Sequence, residues 1–294
     1  MRVCIFGNKE TTRTLITHLI NKNITIDCLV TLNAESAKKV DISGKSSNLV
    51  TIAEKFGLEV YQSNSYNLKE AFDIKFFENN KFDVGLCTGW QRLIPKEILD
   101  TFKHGVFGWH GSGFEFPNGR GRSPLNWSLR LGLPKIYHNC FKYSAGADAG
   151  DIYETDEFFI NQNDYISDVQ YKAVEHILNS SERLLSDIDK GSLQLLKQPN
   201  YPYFQFPSLN EGSGELFPTE INCKTALQII KSCSRPFPGA FLLDQGKKFR
   251  IWRARIVQHP EKGLNANKKS ILVNKKLYIS SMDGFLCSSD FDVE

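Results

Sequence analysis

The sequence predicts an α/β protein: a doubly wound, mostly parallel sheet followed by a small, β-rich, barrel-like domain. Three observations carry this expectation. From Arg2 to Cys87 short apolar runs alternate with segments whose apolar residues recur at helical spacing, the pattern of successive βαβ units. Over 294 residues the composition is 41% hydrophobic and 23% charged, globular material long enough for one large domain and one small one. Near the C-terminus the helical spacing gives way to strand-like runs punctuated by turns such as Asp244-Gln245-Gly246.

Taken in order, Arg2–Gly7 reads as a strand running into glycine, and Thr11–Ile20 as a helix through Leu15, Leu19 and Ile20. Strand, helix and strand follow at 25–31, 47–56 and 58–61, then a helix at 68–77 and a strand at 82–87. Lys96–Phe102 and Pro124–Leu131 are helical, and residues 137–143 and 152–160 are strands. The longest helical pattern, Asp164–Lys190, carries an apolar stripe through Ile166, Val169, Ala173 and Ile177 and ends before Gly191. A Pro-, Tyr- and Phe-rich stretch then reads as a linker. A short helix at 225–233 and strands at 240–243, 247–257 and 270–280 complete the chain. The implied division is a catalytic domain at 1–196, a linker at 197–214 and an OB-like β-rich domain at 215–294.

The net charge of +3 does not demand a broad nucleic-acid surface and suits small anionic ligands equally well. Seven cysteines lie scattered without CxxC spacing, which favours buried, reduced thiols over disulfides or a metal site. No signal peptide and no apolar run long enough to span a bilayer are recognisable, so the expectation is a cytoplasmic protein.

Ligands on doubly wound sheets sit beyond the carboxyl ends of the strands. Three segments should meet there: Gly7-Asn8-Lys9, Thr88–Arg92, and the stretch GVFGWHGSGFEFPNGRGRSPLNW from Gly105 to Trp127. In the last, an apolar run delivers His110 to the sheet edge. A loop with Gly111, Gly113, Gly119 and Gly121 then allows close backbone approach, while Arg120 and Arg122 suit an anion. GxGxxG is absent around Gly7, which disfavours a nicotinamide site. His18, His104, His176 and His259 read as surface histidines.

His110-Gly111-Ser112, the run Pro117–Trp127 and Ala147-Asp148-Ala149-Gly150 resemble the signature of formyltransferases that use N10-formyltetrahydrofolate. The resemblance extends to the C-terminal part, where PFPGAF (236–241) and Gly246-Lys247-Lys248 with Ile251-Trp252-Arg253-Ala254 are similar to the second domain of methionyl-tRNA and sugar formyltransferases. It implies a folate pocket lined by Trp90, Gln91, Arg92, Leu93 and Ile94 together with Asp148 and Asp151, no metal, and His110 and Asp148 as the catalytic pair. Moving a formyl group to an amine needs proton transfer from the attacking nitrogen, which an imidazole performs near neutral pH, and a carboxylate to orient that imidazole. The substrate side falls to Gly7, Asn8, Lys9, Gly111, Ser112, Arg120 and Arg122.

The family normally carries an asparagine two residues before the histidine, where its amide holds the oxyanion; here that residue is Gly108. Losing one such donor typically lowers the rate about 10²–10³-fold. A backbone amide, a water or a neighbouring amide such as Asn126 or Asn139 would have to compensate, and Asn139, on the strand leading towards Asp148, is the catalytic substitute expected. A second departure is the longer loop after Ser112, through Gly113–Phe116. The run Arg120–Trp127 is closer to sugar formyltransferases, including the one that modifies aminoarabinose in lipopolysaccharide synthesis, than to the tRNA enzymes. The amine of a dTDP- or UDP-linked amino sugar is therefore the expected acceptor. Methionyl-tRNA is the alternative, a catalytically weak folate- or nucleotide-binding homologue is another, and a homodimer stays open.

Overall fold

The computed structural model describes residues 1–33, 36, 49–63, 65–90, 92–257, 264–265 and 267–294. Its first part is a seven-stranded sheet in the order β3-β2-β1-β4-β5-β7-β8. Strands β1 (Val3–Phe6), β2 (Cys28–Leu32), β3 (Glu59–Ser63), β4 (Val84–Cys87) and β5 (Gly105–Ser112) are parallel. β7 (Lys135–Lys142) and β8 (Ile152–Phe159) add on antiparallel.

Helices cover both faces, and the period of two along each strand explains how. Val3 and Ile5 point with Leu29, Val84, Leu86 and Phe107 towards α1 (Glu10–Asn21) and α6 (Ile166–Asp189), where Leu15, Leu19, Leu184 and Leu185 close the layer. Cys4 and Phe6 point the other way with Val30, Cys87 and Val106, against Phe77 of α3 (Ala71–Asn80) and Ile98 of α4 (Lys96–Leu99). Strands buried on both sides must be apolar at nearly every position, as VCIF, CLVTL and VGLC are. A further helix, α2 (Val50–Phe56), packs Ala53 on the α1 side. The strand order reverses between β1 and β4, which opens a crevice at their carboxyl ends.

After α5 (Pro124–Arg130) and α6, the linker does more than connect. Its two-residue strand β9 (Gln205–Phe206) pairs in parallel with β6 (Arg120–Gly121), and a 3₁₀ turn follows at Glu211–Gly214. The C-terminal part is a five-stranded antiparallel sheet in which β10 (Ala240–Asp244) begins the order β10-β11-β14-β13-β12, with α7 (Cys223–Cys233) packed on it through Ala226, Ile230, Leu242, Ile251 and Leu286. The expected strand over 270–280 is two strands, β12 (Ser270–Val273) and β13 (Lys276–Ser281), and β14 (Gly284–Val293) had no counterpart in the sequence reading. The reasons are local. Asn274 and Lys275 form a two-residue hairpin turn with φ of 48° and 62°, a backbone usually signalled by glycine. The second half of β14, SSDFDV, is too polar to read as a strand, yet its ladder to β11 (Lys247–Val257) supplies the pairing.

Candidate active site

β5 outruns its parallel neighbour. β4 pairs only with Gly105–Gly108, so Trp109–Ser112 projects past the sheet's carboxyl edge and is held by β7 alone. His110 lies on this projection with its side chain buried and one edge in the wall of a cleft of about 880 Å³. Its Nε2 stands 2.8 Å from the carbonyl oxygen of Gly119. A carbonyl only accepts, so Nε2 carries the hydrogen and Nδ1 is the nitrogen left to take a proton. Nδ1 faces Asp148 Oδ2 at 3.6 Å. The two residues expected to act together are therefore neighbours.

Asp148 is presented by the turn between β7 and β8, and its φ of 51° is left-handed, a conformation aspartate tolerates better than most residues. The turn depends on Gly150, where a β-carbon would collide with the Lys142 carbonyl. It is braced from a distance. Gln198 Nε2 donates to the carbonyls of Asp148 at 2.9 Å and Gly150 at 2.7 Å, and the Arg120 guanidinium donates to Gln198 Oε1. Gly121 N approaches Asp148 Oδ2 at 3.4 Å. Arg120, an expected anion ligand, is thus buried, stacked over the Tyr203 ring at 4.3 Å, and spent on holding the Asp148 turn.

The cleft opens at the crevice between β1 and β4. Lys9, Thr88, Gly89, Trp90, Gly111, Arg122 and Tyr143 line it with His110, and Asn210, Glu211 and Pro236–Gly239 close it from the C-terminal side. Of the expected folate contacts, Trp90 is in the wall: its ring is buried against Phe6 and Tyr66, and its indole N–H has no partner among the described residues. Ile94 belongs to the core, Leu93 is 58% exposed, and Arg92 stacks over Tyr66 at 4.8 Å. Gln91 lies outside the described residues, as does His259. Asp151 stands off the cleft wall, its carbonyl accepting from Lys142 N at 2.8 Å.

Among the expected substrate contacts, Lys9, Gly111 and Arg122 line the cleft, and Gly7, Asn8 and Ser112 stand behind the wall. Gly7 closes a tight turn in which a β-carbon would strike Thr12 and the Thr88 carbonyl, and the Ser112 hydroxyl accepts from Phe114 N at 3.2 Å. Asn139 sits opposite His110 in the ladder but is fully buried. Its amide oxygen accepts from Thr155 at 2.7 Å, its nitrogen lies 3.5 Å from the His110 carbonyl, and it does not reach the cleft. Asn126 lines the cleft with its amide donating to the Ser232 carbonyl at 2.8 Å.

His138, which no motif signals, lies over Gly111 in the cleft floor. Burial, then the neighbouring His176 and His110, push its pKa down to about 3, so it is a neutral imidazole. His176 pairs with Asp156 at 3.2 Å and His18 with Glu182 at 2.6 Å, both on the outside of the fold.

A family model described as Formyl transferase matches residues 1–179. The chain belongs to the formyl transferase family. The paired imidazole and carboxylate lie within the matched part. Among solved structures, HypX from Aquifex aeolicus in complex with tetrahydrofolic acid superposes with a TM-score of 0.71 at 15% identity, covering 99% of this chain and 44% of that one. The chain therefore spans less than half the length of HypX. The N-formyltransferase from Helicobacter canadensis with folinic acid and dTDP-3-aminofucose gives 0.67 at 15% identity, covering 99% of both chains. The methionyl-tRNA formyltransferase from Clostridium thermocellum gives 0.62 at 17% identity, covering 88% of this chain and 95% of that one. At these identities the likeness is one of fold.

Proposed function

We propose that this formyltransferase moves the formyl group of N10-formyltetrahydrofolate to the amine of a dTDP- or UDP-linked amino sugar. The observation that carries the reading is the cleft itself: a cavity of about 880 Å³ at the strand ends, with His110 in its wall and Lys9 and Arg122 at its rim. That volume is in the range of small-molecule sites, and two cations beside it suit a nucleotide's diphosphate. The folate fits the buried indole of Trp90, whose N–H, without a partner among the described residues, offers a donor to the pterin carbonyl oxygen. The bound folate supplies an activated formyl carbon. The chain's own residues do the rest: Nδ1 of His110 takes the proton shed by the attacking amine, and the Asp148 carboxylate stabilises the resulting imidazolium. The full-length superposition on an enzyme crystallised with dTDP-3-aminofucose supports the same acceptor class.

Three basic residues of the C-terminal part argue against a tRNA acceptor. Lys248 and Arg250 both pair with Glu211 and Glu294, and Arg235 pairs with Asp290, so these cations face carboxylates. Their proximity holds the Glu211 carboxyl down at about 2. Incubating the protein with formyl-folate and a panel of dTDP- and UDP-amino sugars, with mass detection, should show one sugar gaining a formyl group. Formylation of methionyl-tRNA with none of the sugars modified would overturn the proposal.

A further inference from the structure

Gly108 precedes His110 by two residues on the same face of β5, so any side chain at 108 would stand beside the imidazole. The space is filled from elsewhere. A β-carbon at Gly108 would overlap Cε1, Cζ and the hydroxyl oxygen of Tyr143. Tyr143 follows the last residue of β7, and its amide donates to the Val106 carbonyl at 2.7 Å, which pins the ring over Gly108. The ring lines the cleft with Cys87, Thr88 and His110. A glycine at 108 is thus the partner of a tyrosine at 143.

We infer that Tyr143 is a further catalytic residue, the phenol that donates a hydrogen bond to the oxyanion formed during formyl transfer. This rests on the proposed formyl-folate chemistry. In the step it serves, the amine nitrogen bonds to the formyl carbon and the carbonyl electron pair moves to oxygen, where Tyr143 Oη donates. Collapse of that oxyanion breaks the bond to the folate nitrogen, and the proton lost by the amine passes through His110 to the departing nitrogen, so nothing else is consumed.

Two properties suit Tyr143 to this role. Burial first, then the neighbouring Cys87 and Asp148, push the phenol well above its ordinary range, so it stays protonated wherever an imidazole works as a base. Its neighbour is the Cys87 sulfur, a weak acceptor that burial keeps as a thiol by raising its pKa to about 12. An oxyanion is the stronger acceptor and would take the hydroxyl hydrogen from it.

The test is Tyr143→Phe, which keeps the ring and removes the donor. We expect kcat to fall about 10²–10³-fold, with KM for both substrates little changed. Independently of turnover, infrared difference spectra of bound, carbonyl-labelled formyl-folate without amine should show a lowered carbonyl stretch in the wild type that returns towards the solution value in the variant. A second pair keeps the geometry testable: Gly108→Asn with Tyr143→Ala should regain at least tenfold over Tyr143→Ala alone. A Tyr143→Phe enzyme within threefold of wild-type kcat, with an unmoved stretch, would overturn this inference and leave the proposed function standing. A wild type that binds no formyl-folate would overturn both.

Discussion

Replacing Asp148 by asparagine tests what the carboxylate does, because the change keeps the side chain's size while removing its charge and turning one acceptor oxygen into an amide donor. Nδ1 of His110 lies 3.6 Å from Oδ2, and Nε2 is committed to the Gly119 carbonyl, so the imidazolium that the proposed proton transfer would form faces Asp148. Two unit charges at that separation attract by about 4–5 kcal/mol at an effective dielectric near 20. The Asp148 side chain is 25% exposed, so solvent screening reduces this. A figure of about 2–4 kcal/mol corresponds to roughly a 30- to 1,000-fold lower kcat. The turn should survive, since its brace runs to the carbonyls of Asp148 and Gly150 through Gln198, and the long Gly121 N contact to Oδ2 at 3.4 Å can be met by the asparagine's amide oxygen. Steady-state formyl transfer, alongside thermal unfolding, would measure both. An Asp148→Asn enzyme with kcat within threefold of wild type would refute the idea that this carboxylate stabilises charge on the imidazole.

Gln198→Ala removes the two donors that hold the Asp148 turn and strips Arg120 of its acceptor. It should lower kcat about tenfold or more with KM less affected, and Gln198→Glu, which keeps the acceptor for Arg120 but not the donors, should not restore it. Trp90→Phe keeps an aromatic ring but loses the buried indole N–H; folate affinity by calorimetry should weaken about 3- to 10-fold, the worth of one hydrogen bond. His138 is about 3 in the fold against an ordinary value near 6.5, so between these pH values the unfolded chain binds a proton that the folded chain refuses. Its contribution is whole above pH 6.5 and fades as pH falls towards 3, on the order of 4 kcal/mol. His138→Gln should therefore lose less stability than the wild type over that window in urea titrations at stepped pH.

The sequence by itself determined the sheet. Runs such as VCIF and VGLC are apolar at every position because both faces of a parallel sheet are covered, and the helical periods between them admit little but βαβ order. Its resemblance to formyltransferases also pointed to His110 and Asp148, which the fold brings to 3.6 Å of each other. Only the tertiary structure decided which polar groups face the cleft. Arg120 and Asn139 look like ligands in the linear text, yet the fold turns one towards Gln198 and the other towards Thr155. Conversely Tyr143 reads as the tail of a strand. The physical reason is that residue type fixes what a side chain is able to do, whereas its partner is set by strand register and by contacts between positions far apart in the chain, such as 108 with 143 or 148 with 198, which no local pattern encodes.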